Sequence, residues 1–163
     1  MTDISLQISN RGLLQALSQG PEVLRKHLTL AVLRSVMEIA RSARRHAPKA
    51  FSTLTQSIKH QMIDPLTGEV APHVDYAEMV ETGTGPGGLP TDETMLRWIR
   101  VRHITPRDPT MTERDLAFVI ARSIAAKGTP AQPYMAPALA DNKARAERRI
   151  NTAINSALKE MQA

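Results

Sequence analysis

This sequence of 163 residues has no cysteine and only one Trp, two Tyr and two Phe. Without cysteine there can be no disulfide, no thiol nucleophile and no thiolate metal ligand, and such a chain suits a reducing compartment. With aromatic residues at 3% and hydrophobic residues at 42%, the core must be aliphatic and rich in methionine. The same scarcity leaves almost nothing to stack on unpaired bases, the usual device of single-strand binders. Long apolar runs are missing as well. Nothing approaches the roughly 18 uninterrupted apolar residues of a membrane span, and no apolar run follows a basic segment at the N-terminus as a leader would require. Even the longest apolar stretch is broken by Arg25, Lys26, His27, Arg34 and Glu38.

What remains fits a single domain over residues 1–163, long enough to bury a core. The formal net charge is +5. Such an excess suits a polyanionic partner, either nucleic acid or an acidic protein surface, and equally suits a solvated basic exterior.

The stretch from Pro21 to Pro48 dominates the pattern, with no Gly or Pro between its ends. Leu24, Leu28, Ala31, Ser35, Ile39 and Ala43 form one helical stripe, and Leu30, Leu33, Met37 and Ala40 a second beside it. Together they are wider than the face of about 100° that a surface helix shows. Pro21 and Glu22 suit the first turn, and Arg41, Arg44, Arg45 and His46 suit the negative end of the helix dipole. Pro48 stops the helix by restricting Ala47. The expectation is a central helix covered on one side by its own domain and on the other by a neighbouring subunit.

Elsewhere the signals are shorter. Ile4, Leu6 and Ile8 alternate with polar residues, which predicts a strand over residues 3–9. Asn10 can cap a brief helix carrying Leu13, Leu14 and Leu17, ended by Gly20. Residues 57–63 and 69–74 flank a turn-rich joint from Asp64 to Gly68, a hairpin pattern, although residues 53–60 also suit a helical turn. Pro72 has no N–H, so the second strand should lie on an edge or bulge there. Asp75 can cap a short helix with Tyr76, Met79 and Val80 turned inward, and a Gly-rich loop follows from Gly83 to Pro90.

Thr91 or Asp92 can cap the next helix, with Met95, Leu96 and Ile99 inward and Trp98 alongside. Residues 83–112 read as a loop–helix excursion from the compact body. Thr112 to Asp115 resembles a capping box, and Leu116, Val119, Ile120 and Ile124 continue at helical spacing towards Gly128, a helix-stop position. A final helix runs from about Pro137, with Leu139, Ala146, Ile150, Ile154, Leu158 and Met161 as its stripe. The sum is an α+β fold: a long central helix and further helices packed on a small antiparallel sheet with a β-hairpin.

Chemistry is harder to find. The Gly-rich loop continues as Leu89-Pro90, where a phosphate-binding loop needs Lys and a hydroxyl. His27, His46, His60, His73 and His103 are not paired at helical ligand spacing. Asp75, Glu78 and Glu81 are the nearest approach to a carboxylate metal site of the hydrolytic kind, and helix capping explains Asp75 and Glu78 equally well. The sequence therefore points to no catalytic residue, no metal, no cofactor and no enzyme. Three basic clusters, Arg41 to Lys49, Arg97 to His103 and Lys143 to Arg149, face solvent, acidic partners or the phosphates of DNA in a sequence-blind way. A free-standing, sequence-nonspecific DNA-binding protein is the reading from a different class.

Three segments in order carry a resemblance: Leu54-Thr55-Gln56-Ser57-Ile58, then Val74 to Thr84 (VDYAEMVETGT), then Pro133-Tyr134-Met135-Ala136-Pro137-Ala138-Leu139. They resemble the L-x-x-S-I, V-x-Y-A-x-x-V-E-x-G-T and P-F-L-x-P-A-L segments of the tail-completion or neck (head–tail joining) family of long-tailed bacteriophages. Two departures are Ser52, where many members have Gly, and the long segment from Gly85 to Thr112. The resemblance implies a non-enzymatic virion protein, assembled in the host cytoplasm, forming a six-fold homo-oligomeric ring at the head–tail junction around the DNA path. Its partners would be connector or stopper proteins, tail-tube or terminator proteins, and passing double-stranded DNA, with no membrane. A tail terminator or minor tail protein is the alternative within the same class. On this reading Leu28, Val32, Val36, Met37, Tyr76 and Val80 are expected at subunit interfaces. Arg41, Arg44, Arg45 and Lys49 are expected to meet DNA or an acidic partner.

Overall fold

The computed structural model describes residues 6–8, 22–49 and 52–162. In chain order the elements are β1 (Leu6–Ile8), α1 (Glu22–His46), α2 (Ser52–Ser57), β2 (Lys59–Asp64), β3 (Thr67–Ala71), α3 (Ala77–Thr82), α4 (Asp92–Val101), α5 (Glu113–Lys127) and α6 (Met135–Gln162). This is the α+β arrangement expected, helix-dominated with one small antiparallel sheet. The short helix expected after Asn10 lies outside the described residues.

Helices α1 and α6 run antiparallel against each other. His27 near the start of α1 pairs with Glu160 near the end of α6 at 2.8 Å, and His46 at the other end pairs with Asp141 at 2.9 Å. The buried positions on α6 are mostly small: Ala138, Asn142, Ala146, Ala153 and Ala157. Small side chains let two helices pack closely, and they displace the expected stripe. Leu158 and Met161 are exposed, because each lies a residue or more off that seam. The helix also begins at Met135 rather than Pro137, which puts Pro137 in its first turn, where a missing N–H costs little.

The sheet covers another side of α1. Its order is β1-β3-β2, with β3 antiparallel to both neighbours. The hairpin joint is tied by the Asp64 carboxylate, which accepts the Leu66 N–H at 2.7 Å, and the register shifts between Met62 and Asp64. That N–H and the Thr67 hydroxyl hold the Asp64 carboxyl below its ordinary range. Pro72 neither lies on an edge strand nor makes a bulge. β3 is the central strand, and it ends at Ala71 so that the residue without an N–H falls outside the ladder. Residues 52–57 are helical, so the hairpin's first strand starts at Lys59.

α1 is consequently enclosed by its own chain more fully than its sequence suggests. Leu28, Val32, Val36, Ile39, Ala40 and Ala43 are all buried, because α6, β2, β3 and α2 surround the helix. Of the second stripe only Leu30 (45% exposed) and Met37 (41%) face outward.

Helices α4 and α5 pack on each other around Met95, Ile99, Ala117 and Ala121, forming a second core with Trp98 part-buried at its side. Thr91 caps α4 through the Thr94 N–H. Thr112 and Asp115 form the full capping box at α5. α4 ends in a Schellman motif with His103 at φ 52° as its left-handed residue: Ile104 N–H donates to Ile99 O at 3.0 Å and His103 N–H to Arg100 O at 3.2 Å. Val119 is exposed, since Ala117 and Ala121 take the inner positions.

The excursion therefore includes α5 and runs past residue 112. It closes where Thr84 and Thr129 bridge, each donating its N–H to the other's carbonyl at 3.0 and 3.1 Å. Gly83 and Gly128 flank this neck at φ 76°, and a Cβ on Gly128 would run into Thr84 O.

At Gly68 the sheet comes close to α1, for a Cβ there would stand 2.5 Å from Val36 Cγ1. Gly68→Ala should destabilise the protein by about 1–3 kcal/mol through this overpacking. Urea denaturation checks it, with an unchanged midpoint as the contrary result.

Candidate functional site

Residues 54–58, 74–84 and 133–139 are separate in sequence and meet in one place. Leu54 and Ile58 of the first, Ala77 of the second, and Tyr134, Met135 and Ala138 of the third share one buried cluster with Val36, Ile39 and Ala43 of α1. Val80 packs against it.

A single carboxylate fastens the second segment to the third. Glu81 on α3 accepts the N–H groups of Tyr134 at 2.7 Å and Met135 at 3.0 Å through Oε2, and that of Ala136 at 3.0 Å through Oε1. These are N–H groups at the start of α6 that have no partner within the helix. A negative charge there also meets the positive end of a 28-residue dipole. The backbone adds Gln132 N–H to Val80 O at 2.8 Å. Tyr134 is fully buried beneath, with its hydroxyl 3.5 Å from Ala77 O. Burial, the Glu81 charge and Tyr76 push its pKa up to about 12. Glu81 is thus a structural cap, and it does not converge on a metal with Asp75 and Glu78. Among the described residues no group of three or more acidic or His side chains is placed to hold a metal ion.

Asp75 is not the cap of α3. The helix begins after Tyr76, with no side-chain cap. The inward residue is Ala77, which leaves Tyr76 (39%) and Met79 (57%) exposed. With Leu54, Val80, Trp98 and Ile124 they line an apolar groove of about 400 Å³ between the body and the α4–α5 pair.

Of the expected interface residues, Leu28, Val32 and Val36 are inside the chain, at 1%, 4% and 0% exposure, because α6 and the sheet cover them. Met37 and Tyr76 lie on the surface and Val80 is half-buried. The expected basic contacts also divide. Arg44 is half-buried and gives Nε and Nη2 to Ile58 O at 3.0 and 2.6 Å, which clips α1 to the α2–β2 junction. Arg41, Arg45 and Lys49 are exposed.

The fold also joins part of the basic cluster expected at Lys143 to Arg149 to an arginine of α1. Arg34 of α1 and Arg145, Arg148 and Arg149 of α6 line an open groove of about 420 Å³ between the two helices, with His27 at one end. Arg149 is anchored through Nη1 to the Ser35 hydroxyl at 3.1 Å and through Nη2 to Glu38 at 2.7 Å. Arg145 stands 3.9 Å from the other Glu38 oxygen. The Arg149 hydrogen bond, with the charges of Arg149, Arg145 and Arg41, holds the Glu38 carboxyl below its ordinary range.

Comparison with protein-family models, with curated proteins and with solved structures finds no match to this chain.

Two outcomes follow from Glu81 and Tyr134. Glu81→Ala should cost about 2–3 kcal/mol in urea denaturation, since it strips a charged acceptor from N–H groups beside the core; a loss under about 0.5 kcal/mol would contradict the capping role. Tyr134 keeps its proton in the folded state to about pH 12, whereas the unfolded chain releases it near 10, so stability is full below pH 10 and falls as pH rises towards 12. Tyr134→Phe should flatten that alkaline decline relative to the parent chain.

Proposed function

We propose that this chain is a structural, non-enzymatic protein of a long-tailed bacteriophage virion: a tail-completion or neck protein that assembles as a ring at the head–tail junction. The observation that carries the reading is the resemblance of three segments to that family, together with their interlocking. Residues 54–58, 74–84 and 133–139 pack as one unit in the fold, joined by Glu81 and Tyr134.

The physical character of the surface agrees with work done by association. Exposed apolar residues fall in small groups: Leu30 and Met37 on α1, Tyr76 and Met79 at the apolar groove, and Phe118 and Val119 on α5. Such groups suit contacts completed during assembly with ring partners. In this reading the α4–α5 pair projects from the body on its Thr84–Thr129 neck and reaches a neighbouring ring or subunit.

The decisive experiment deletes the gene from the phage that carries it and images the particles by electron microscopy. Filled heads and finished tails that fail to join are expected. Joined, normal virions would overturn the proposal, and tails of abnormal length would favour the terminator alternative. Light scattering of the purified chain over a wide concentration range, alone and with connector proteins, should show self-association or co-assembly. A chain that stays monomeric in every mixture would count against it.

A further inference from the structure

We infer that the groove between α1 and α6 is a track for the sugar–phosphate backbone of duplex DNA. The inference deepens the virion reading, in which DNA passes this protein, and it sets Arg34 of α1 beside part of the basic cluster on α6, a juxtaposition that the sequence alone does not reveal.

The groove is open and elongated. One wall is α1 from His27 to Arg34 and the other is α6 from Arg145 to Ser156. From Arg145 to Ser156 the helix rises about 16 Å, at about 1.5 Å per residue. One DNA strand presents a phosphate about every 3.4 Å along the axis, so the α6 wall runs beside about five of them. Such a shape suits a linear polyanion better than an enclosed small molecule.

Charge singles out the same surface. Four guanidinium groups line it, and Glu38 is the one carboxylate paired with any of them among the described residues. Glu38 is engaged by Arg149 and stands off from Arg145, which is 62% exposed. Arg34 and Arg148 are exposed and form no ion pair among the described residues. The anchored Arg149 is a positioning residue: its bonds to Ser35 and Glu38 fix the groove's base. Arg41 continues the outward stripe of Leu30, Arg34 and Met37 along α1 and lengthens the track.

The chemistry of the lining selects phosphate over an acidic peptide. Guanidinium forks match the oxygens of phosphate and carboxylate alike, so the rest of the lining decides between them. A peptide partner would need apolar pockets for anchoring side chains, and apart from Leu30 the apolar lining is Ala31 and Ala153. No Phe, Tyr or Trp lines the groove as a platform for an unpaired base, which favours the duplex over a single strand.

The test is fluorescence anisotropy of the full chain with a labelled random-sequence duplex of about 20 base pairs, titrated between about 50 and 200 mM salt. Binding that ignores sequence is expected, with log K falling against log salt at a slope of about −3 to −4 if four arginines engage. The double variant Arg34→Gln, Arg148→Gln should bind at least about tenfold more weakly and lose about 2 from the magnitude of that slope. Arg107→Gln with Arg114→Gln, exposed arginines outside the groove, should leave both unchanged, and circular dichroism checks that every variant folds. Three results would each overturn the inference: equal binding by the groove variant and its parent, tighter binding of single strands, or preferential displacement of the duplex by polyglutamate. The gene deletion reads the joining role separately. A groove that ignores DNA in a phage that still needs this protein to join its parts would refute the track and leave the virion role standing.

Discussion

The antiparallel contact between α1 and α6 is the constraint on which the rest of the molecule depends. It is made through small side chains on α6, Ala138, Ala146, Ala153 and Ala157, against a denser set on α1. A seam of alanines offers little apolar area per residue, so stability must come from length, close packing and the sheet on another side. The side-chain contacts His27–Glu160 and His46–Asp141 sit near the ends of the pair, where exposure keeps their contribution small. They fix register more than they add stability. The same closeness sets the Arg34 side of one helix beside the Arg145–Arg149 side of the other, and so the packing that builds the core also builds the basic groove.

A second constraint acts across more than fifty residues. α3 is a six-residue helix that could not persist alone, because nucleating a turn costs more than so short a run returns. It is retained because Glu81 completes the start of α6 and Ala77 enters the main cluster. In return α6 gains an acceptor that its own first turn lacks, since no acidic residue lies there. Each element supplies what the other is missing.

The arginines illustrate how one residue type takes different work from its surroundings. Arg44 and Arg149 turn towards the fold and satisfy a carbonyl, a hydroxyl and a carboxylate. Arg100 bridges α4 to Glu113 at 3.0 Å on the surface of the helical pair. Arg34, Arg41, Arg45 and Arg148 remain in solvent, where guanidinium groups are available to a polyanion. Net charge cannot separate these roles, because it counts every arginine alike.

By itself the sequence determined the helix-rich α+β class, the extent of α1, a cap at Thr91 or Asp92, the cap at Thr112 and the stop at Gly128. These signals act within a few residues: a missing N–H, a side-chain oxygen reaching its own turn, a backbone that tolerates positive φ. Only the tertiary structure decided which stripe of α1 was covered, that α5 belongs with α4, that β3 is central, and that Glu81 caps a helix 54 residues further on at Met135. The extra apolar width of α1 signalled burial, but not whether its cover came from the same chain. Periodicity reports how many faces are greasy, whereas the identity of what covers them is a long-range matter of chain topology.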